Sequence, residues 1–335
     1  MTVAAGRQFL AIPGPTTVPD EVLRAMHRPA VDIYAGPLVE LTDRCLADLK
    51  RVFRTDGQAY IYAANGHGAW EAALTNVLSR GDKVLVVESR FAVGWGEMGQ
   101  RLGVEVEVLP VDFRRAADPA ALEERLAADT GHEIKAVLCV QVDTASSIWN
   151  DVEALGAAIR AAGHPALFLV DTIASLGTMP FEMDAWGVDV AVTGSQKGLM
   201  TPPGLGFVAA GKRARAAHET ANLRTSYWDW TAREGAEHYM KYCGTPPEHL
   251  LFGLRQAMDL LFDEGLEAAF RRHALLAEAT RRAVEVWSEN GVVAFNATEP
   301  EERADSVTTL RLLRDGGADA LRGCCRTRGG VGLGH

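Results

Sequence analysis

Residues 190–211 read VAVTGSQKGLMTPPGLGFVAAG. Two short apolar runs flank a turn punctuated by glycine and proline, and between Asp189 and Lys212 the only ionisable side chain is Lys197. Apolar runs of four to eight residues bounded by such turns read as fully buried strands. Working outward, the same strand-length runs recur at Lys83–Glu88 (KVLVVE), Val104–Val111, Lys135–Val142, Ala166–Asp171 (ALFLVD), Val188–Gly194 and Leu205–Gly211. Between several of them lie stretches of helical apolar spacing, among them His67–Leu78, Pro119–Ala128 and Val152–Ala162. Strands alternating with helices imply an α/β fold, a mainly parallel sheet sandwiched by helices. Only Val104–Val108 alternates charge with valine, which places it toward an edge.

Earlier in the chain, Leu38, Leu41, Cys45, Leu49 and Val52 recur at spacings of three and four and predict an amphipathic helix. The stretch before it, to residue 20, reads as irregular, with AIPGPTTVP at Ala11–Pro19. Beyond Ala214 the pattern changes. A long helical region is expected over Glu248–Glu289, then a strand over Asp305–Arg314, the start of a smaller α+β domain. Its ending, RTRGGVGLGH, has little apolar content with which to finish a sheet.

The 335 residues carry a formal net charge of −10, which argues against nucleic acid or anionic membrane as the main partner. The densest basic cluster, RGCCRTRGG at Arg322–Gly330, reads as a solvated tail. Five scattered cysteines without CxxC spacing suit a reducing compartment and disfavour both a disulfide framework and a structural metal site. No leader-like or membrane-length apolar stretch is evident, so the expected location is the cytoplasm.

In an open α/β sheet, ligands bind outside the carboxyl ends of the strands. Three features sit there. Lys197 follows one strand among neighbours that cannot solvate a charge; burial favours the neutral amine, the form that makes Schiff bases with aldehydes. Asp171 closes ALFLVD, where it either caps the next turn or pairs with a protonated pyridine nitrogen. ANGHGAWEAAL at Ala64–Leu74 starts a helix with Asn65 as a plausible cap and glycines that expose backbone N–H groups to a phosphate. It matches neither a P-loop nor a dinucleotide fingerprint, which disfavours a nucleotide-binding module.

In serial order, PGPTTVP, NGHGAWEAALTNVLSRGDKVLV, VQVDTASS, LVDTIASLG, TGSQKGLMTPPG and YCGTPPEHLLFGLRQAMD make the chain resemble the class V aminotransferases, within the alanine–glyoxylate and serine–glyoxylate group. That family is dependent on pyridoxal 5'-phosphate (PLP) and has PLP fold type I. The resemblance implies Lys197 as Schiff-base lysine and proton carrier, Asp171 at the pyridinium nitrogen, and Ile173 under the ring. Gly66, His67 and Gln196 would hold the phosphate, Thr144 the ring hydroxyl, and Phe91 would stack on the ring, with Trp95 as the alternative stacker. His67 could equally be a polar residue of a first helical turn. Tyr242 and Thr245 would reach the phosphate in the neighbouring subunit of a homodimer, Tyr242 alternatively being a buried tyrosine with a bonded hydroxyl.

Those matches imply an irregular segment 1–20, a large PLP-binding domain 21–247 and a small C-terminal α+β domain 248–335. The family continues into an RIGH-like stretch whose arginine grips the substrate carboxylate. Nothing here matches it, and the ending reads as a shifted reading frame with an early stop. The expected reaction is transamination from serine or alanine to glyoxylate or another small 2-oxo acid. The alternatives are a PLP-binding protein of little activity, pyridoxamine–pyruvate transamination, and cysteine desulfuration using Cys324 or Cys325.

Overall fold

The computed structural model describes residues 9–313 and 317–334. Residues 1–8 of the N-terminal segment, Arg314 of the expected strand and His335 lie outside the described residues.

A seven-stranded sheet runs in the order Gln58–Ala63, Leu205–Ala210, Val190–Gly194, Leu167–Asp171, Ile134–Val140, Lys83–Val87, Glu105–Leu109. Only Leu205–Ala210 runs against its neighbours. The apolar runs are continuous because both faces are covered: every residue of Leu167–Asp171 and Val190–Gly194 is buried. Successive side chains point to opposite faces, and the core divides accordingly. Phe168, Val170 and Ala191 join one cluster with Leu38, Leu122, Leu155 and Leu251 from helices Pro37–Phe53, Pro119–Ala128, Val152–Ala161 and Glu248–Glu264. Leu167, Leu169, Val190 and Val192 join the other, with Leu74 and Trp95 from helices Gly66–Val77 and Arg90–Leu102. The charge-alternating Glu105–Leu109 is the edge strand, as its pattern demands.

Three expectations need correction. The region Glu248–Glu289 is two helices, Glu248–Glu264 and Leu266–Ser288, broken at Gly265, whose φ of +87° suits glycine. The first of these packs its buried Leu251, Leu254, Met258 and Leu261 into the main core. The expected strand Asp305–Arg314 shrinks to Leu310–Leu312, paired antiparallel with Val293–Phe295. Finally, the chain's end is not a solvated tail. Ala318–Gly329 is a helix with Arg326 and Arg328 exposed, and Val331–Leu333 pairs parallel with Phe9–Ala11.

Candidate active site

The strands Gln58–Ala63, Lys83–Val87, Ile134–Val140, Leu167–Asp171 and Val190–Gly194 all end on one edge of the sheet. The turns that follow carry Gly66 and His67, Phe91, Thr144, Asp171 and Ile173, and Gln196 and Lys197. Lys197 is half-buried, and its amine has no hydrogen-bond partner among the described residues. Burial pushes its pKa down, against the opposing pull of Asp171 and Asp143. The N-terminal segment lies across it. Thr16 donates from its backbone N to the Gln196 carbonyl at 3.0 Å, and a Cβ on Gly14 (φ +151°) would stand 2.8 Å from Lys197 Cε. Lys197 and Thr144 line one cavity together with Thr16, Arg272 and Ser306.

Asp171 is the buried counterpart. Its Oδ2 accepts from Trp70 Nε1 at 2.7 Å and its Oδ1 from the Ile173 backbone N at 2.6 Å. Burial raises its carboxyl to about 7, although both hydrogen bonds and Lys197 favour the anion. Ile173 packs so closely on the helix start that a Cβ at Gly66 would lie 2.4 Å from its Cδ1. Glycine at 66 is therefore a requirement of close approach.

Asn65 caps helix Gly66–Val77, its Oδ1 accepting from the backbone N of His67 at 3.1 Å and of Gly68 at 3.3 Å. The Gly66 N–H has no partner among the described residues, and the His67 ring is exposed. Gln196 Oε1 is buried without a partner. On the other side, the buried Asp143 joins two turns: Oδ2 accepts from Phe91 N at 3.0 Å and Oδ1 from Ala145 N at 2.7 Å. Phe91 is half-buried, whereas Trp95 is sealed in the core, stacked on Trp70 with ring centroids 5.9 Å apart.

The class-V aminotransferase model, "Aminotransferase class-V", matches residues 9–330. The chain belongs to the class-V aminotransferases. It is 43% identical over 326 residues to a serine–glyoxylate aminotransferase of Methylorubrum extorquens, covering 95% of this chain and 79% of that one. It is 39% identical over 305 residues to an L-aspartate–glyoxylate aminotransferase of Paracoccus denitrificans, covering 90% of this chain and 76% of that one. The crystal structure of an alanine–glyoxylate aminotransferase from Nostoc sp. superposes with a TM-score of 0.87 at 26% identity, covering 100% of this chain and 87% of that one. The fold is thus PLP fold type I, and the protein is an aminotransferase whose cofactor is pyridoxal 5'-phosphate.

The class-V site present here fits that cofactor. A buried carboxyl, an unpartnered amine, an unpartnered N–H at a helix start and an orphaned Gln196 amide all open on the same sheet edge. Buried polar atoms rarely stay unpaired, so these await a polar ligand. Turning the Gln196 amide over presents its NH₂ in place of the oxygen, which suits a phosphate acceptor.

Tyr242 and Thr245, expected by resemblance at a neighbouring subunit's phosphate, do not line the Lys197 cavity of their own chain. Tyr242 is 2% exposed and its hydroxyl shares a 2.8 Å hydrogen bond with Thr42 Oγ1, beside His238. A buried hydroxyl needs a partner, and within this chain Thr42 supplies it. Thr245 is exposed beyond Gly244 and lines no part of the Lys197 cavity. Conversely, Trp70 and Asp143 belong to the site and were not legible. Trp70 reads only as part of a helix's apolar face, and Asp143 as one acid among many. Cys324 and Cys325 do not line the Lys197 cavity.

Proposed function

We propose that the protein moves the amino group of a small amino acid, serine or alanine foremost, to glyoxylate or another small 2-oxo acid. The observation that carries this reading is Lys197, an amine without a partner among the described residues in a cavity at the strand ends, its pKa lowered by burial and flanked by the buried Asp171. The relatives named for serine, aspartate, alanine and glyoxylate support the choice of substrates.

When bound, pyridoxal phosphate supplies an aldehyde that takes up the amino group and a ring that withdraws electrons from the donor's α-carbon. Gly66 N–H, His67 and Gln196 would hold the phosphate at the N-terminus of helix Gly66–Val77. Thr144 would bond the ring hydroxyl, with Phe91 and Ile173 covering the ring. Asp171 attracts a protonated ring nitrogen, and a cation beside it returns the raised carboxyl toward its anionic form. Lys197 Nζ, neutral when desolvated, takes the α-proton and gives it back, acting as base and then acid. Asp143 keeps the Phe91 and Thr144 turns together.

The active unit is proposed to be a homodimer in the cytoplasm, a compartment that suits five free thiols. No helix among the described residues is long and apolar enough to cross a membrane. The division into a large domain 21–247 and a smaller one 248–335 is proposed with helix Glu248–Glu264 as the joint, since its side chains sit in the main core.

Product analysis tests the reading. Cofactor-loaded protein given L-serine or L-alanine with glyoxylate should make glycine together with hydroxypyruvate or pyruvate, and Lys197→Ala should make neither. Absence of glycine with both donors would overturn the substrate assignment.

A further inference from the structure

A second cavity, of about 490 Å³, shares no lining residue with the one that holds Lys197. Its walls come from three places. Arg114 lies in the turn after the edge strand Glu105–Leu109, Glu285 in the last turns of helix Leu266–Ser288, and Arg303 at the end of the segment that follows strand Val293–Phe295. The two guanidiniums are anchored on consecutive residues. Arg114 Nε donates to the Asn296 carbonyl at 3.1 Å, and Arg303 Nε to the Ala297 carbonyl at 3.3 Å. The Arg303 guanidinium carbon also stands 3.9 Å from the centre of the Phe295 ring, and the Arg114 carbonyl accepts from Thr298 N at 3.2 Å.

Neither guanidinium has an ion pair, and the Nη groups of both have no hydrogen-bond partner, among the described residues. Their neighbours differ: Arg115 pairs with Glu302 at 2.9 Å and Arg281 with Asp305 at 2.8 Å. Arg303 is half-buried, and burial, then the nearby charge of Arg281, draws its pKa down against the pull of Glu285, Glu301 and Glu299. A desolvated cation without a counter-ion is costly, and a second cation on the same cavity adds to the cost. A bound anion removes both costs. The free Nη groups suit the two oxygens of a planar carboxylate. Glu285 lines the cavity too and pairs with neither arginine, so two cations and one carboxylate leave a single net positive charge. That balance suits a monoanion over a phosphate dianion. Phe295, Ala297 and Pro300 supply an apolar wall for the rest of the molecule.

We propose that Arg114 and Arg303 form a second ligand site, separate from the Lys197 cavity, for a small monocarboxylate with an apolar body. The carboxylate accepts from the Nη groups of both arginines, and the body rests against Phe295, Ala297 and Pro300. The site stands apart from the transamination reading, since it needs neither the cofactor nor turnover.

Phenylacetate titrated into the cofactor-loaded protein and followed by calorimetry tests this. Wild-type protein should bind it saturably. Arg114→Gln and Arg303→Gln should each weaken binding about tenfold to a hundredfold, the range for charge-assisted hydrogen bonds. Glu285→Gln should tighten it several-fold by removing a like charge. All three variants should keep the visible cofactor absorption of the wild type, because none of these residues lines the Lys197 cavity. Wild-type protein that binds no phenylacetate would overturn the proposal. So would arginine variants that bind it like the wild type, which places the acid elsewhere, the Lys197 cavity included. Weaker binding by Glu285→Gln, or inorganic phosphate that binds through the same arginines more tightly than phenylacetate, would overturn the monocarboxylate assignment. If Arg303→Gln does not fold for want of its contacts with Phe295 and Ala297, Arg114→Gln and Glu285→Gln decide.

Discussion

At Lys197 and Asp171 one physical cause acts on two opposite charges. Burial lowers the lysine pKa and raises that of the aspartate to about 7, so both are drawn toward neutrality while each partly protects the charge of the other. The aspartate makes stability depend on pH. Its folded-state value lies above the ordinary 3.8, so the folded form holds its proton longer than the unfolded form. The associated stability is present below about pH 4 and is lost as pH rises toward 7. Cofactor-free Asp171→Asn lacks this loss. Its urea midpoint should gain on the wild type between pH 5 and pH 8; a difference that is flat with pH would contradict the assignment. Lys197 was legible because a lone amine amid small and apolar neighbours is chemically conspicuous. Trp70 was not, because an indole on a helix face gives no sign of the carboxylate its N–H meets in space.

The elements explain why the site residues converge. Each of the parallel strands delivers its next turn to the same edge, so residues far apart in sequence meet without any local signal beyond the strand ends. The buried strands were readable as apolar runs. Gln58–Ala63 was not, since QAYIYA mixes polar and aromatic residues at an edge and pairs only with the reversed strand Leu205–Ala210. The break at Gly265 was hidden for another reason: one glycine inside helical spacing does not say which φ it adopts. The cap at Asn65 has a direct energetic consequence. Asn65→Ala removes the acceptor for His67 N and Gly68 N, and should destabilise the fold by about 1 kcal/mol. Because the same substitution loosens the start of helix Gly66–Val77, the end proposed to hold the phosphate, cofactor affinity should fall with it; chemical denaturation and a cofactor titration on one preparation measure both.

Over the whole molecule, a two-faced core supports the sheet edge, while helix Leu266–Ser288 and the segment at Ser306–Val307 carry the second wall of the Lys197 cavity. The fold class was legible from strand order, and Lys197, Asp171 and the helix start after Asn65 from residue chemistry; the other residues proposed at the sheet edge came from the family resemblance. The wall of Arg272 and Ser306 was not, because it forms only where the C-terminal elements close over Lys197. Tyr242 was assigned by motif match to a neighbouring subunit's cofactor, and within this chain its hydroxyl pairs with Thr42. The central claim is that Lys197 is the amine that engages the cofactor. Borohydride reduction of the cofactor-loaded protein, followed by peptide mapping, measures this most directly. A yellow protein whose reduced label maps to Lys197, with no label in Lys197→Ala, is the predicted result. A label on another lysine, or a colourless protein that takes up no cofactor, would contradict it.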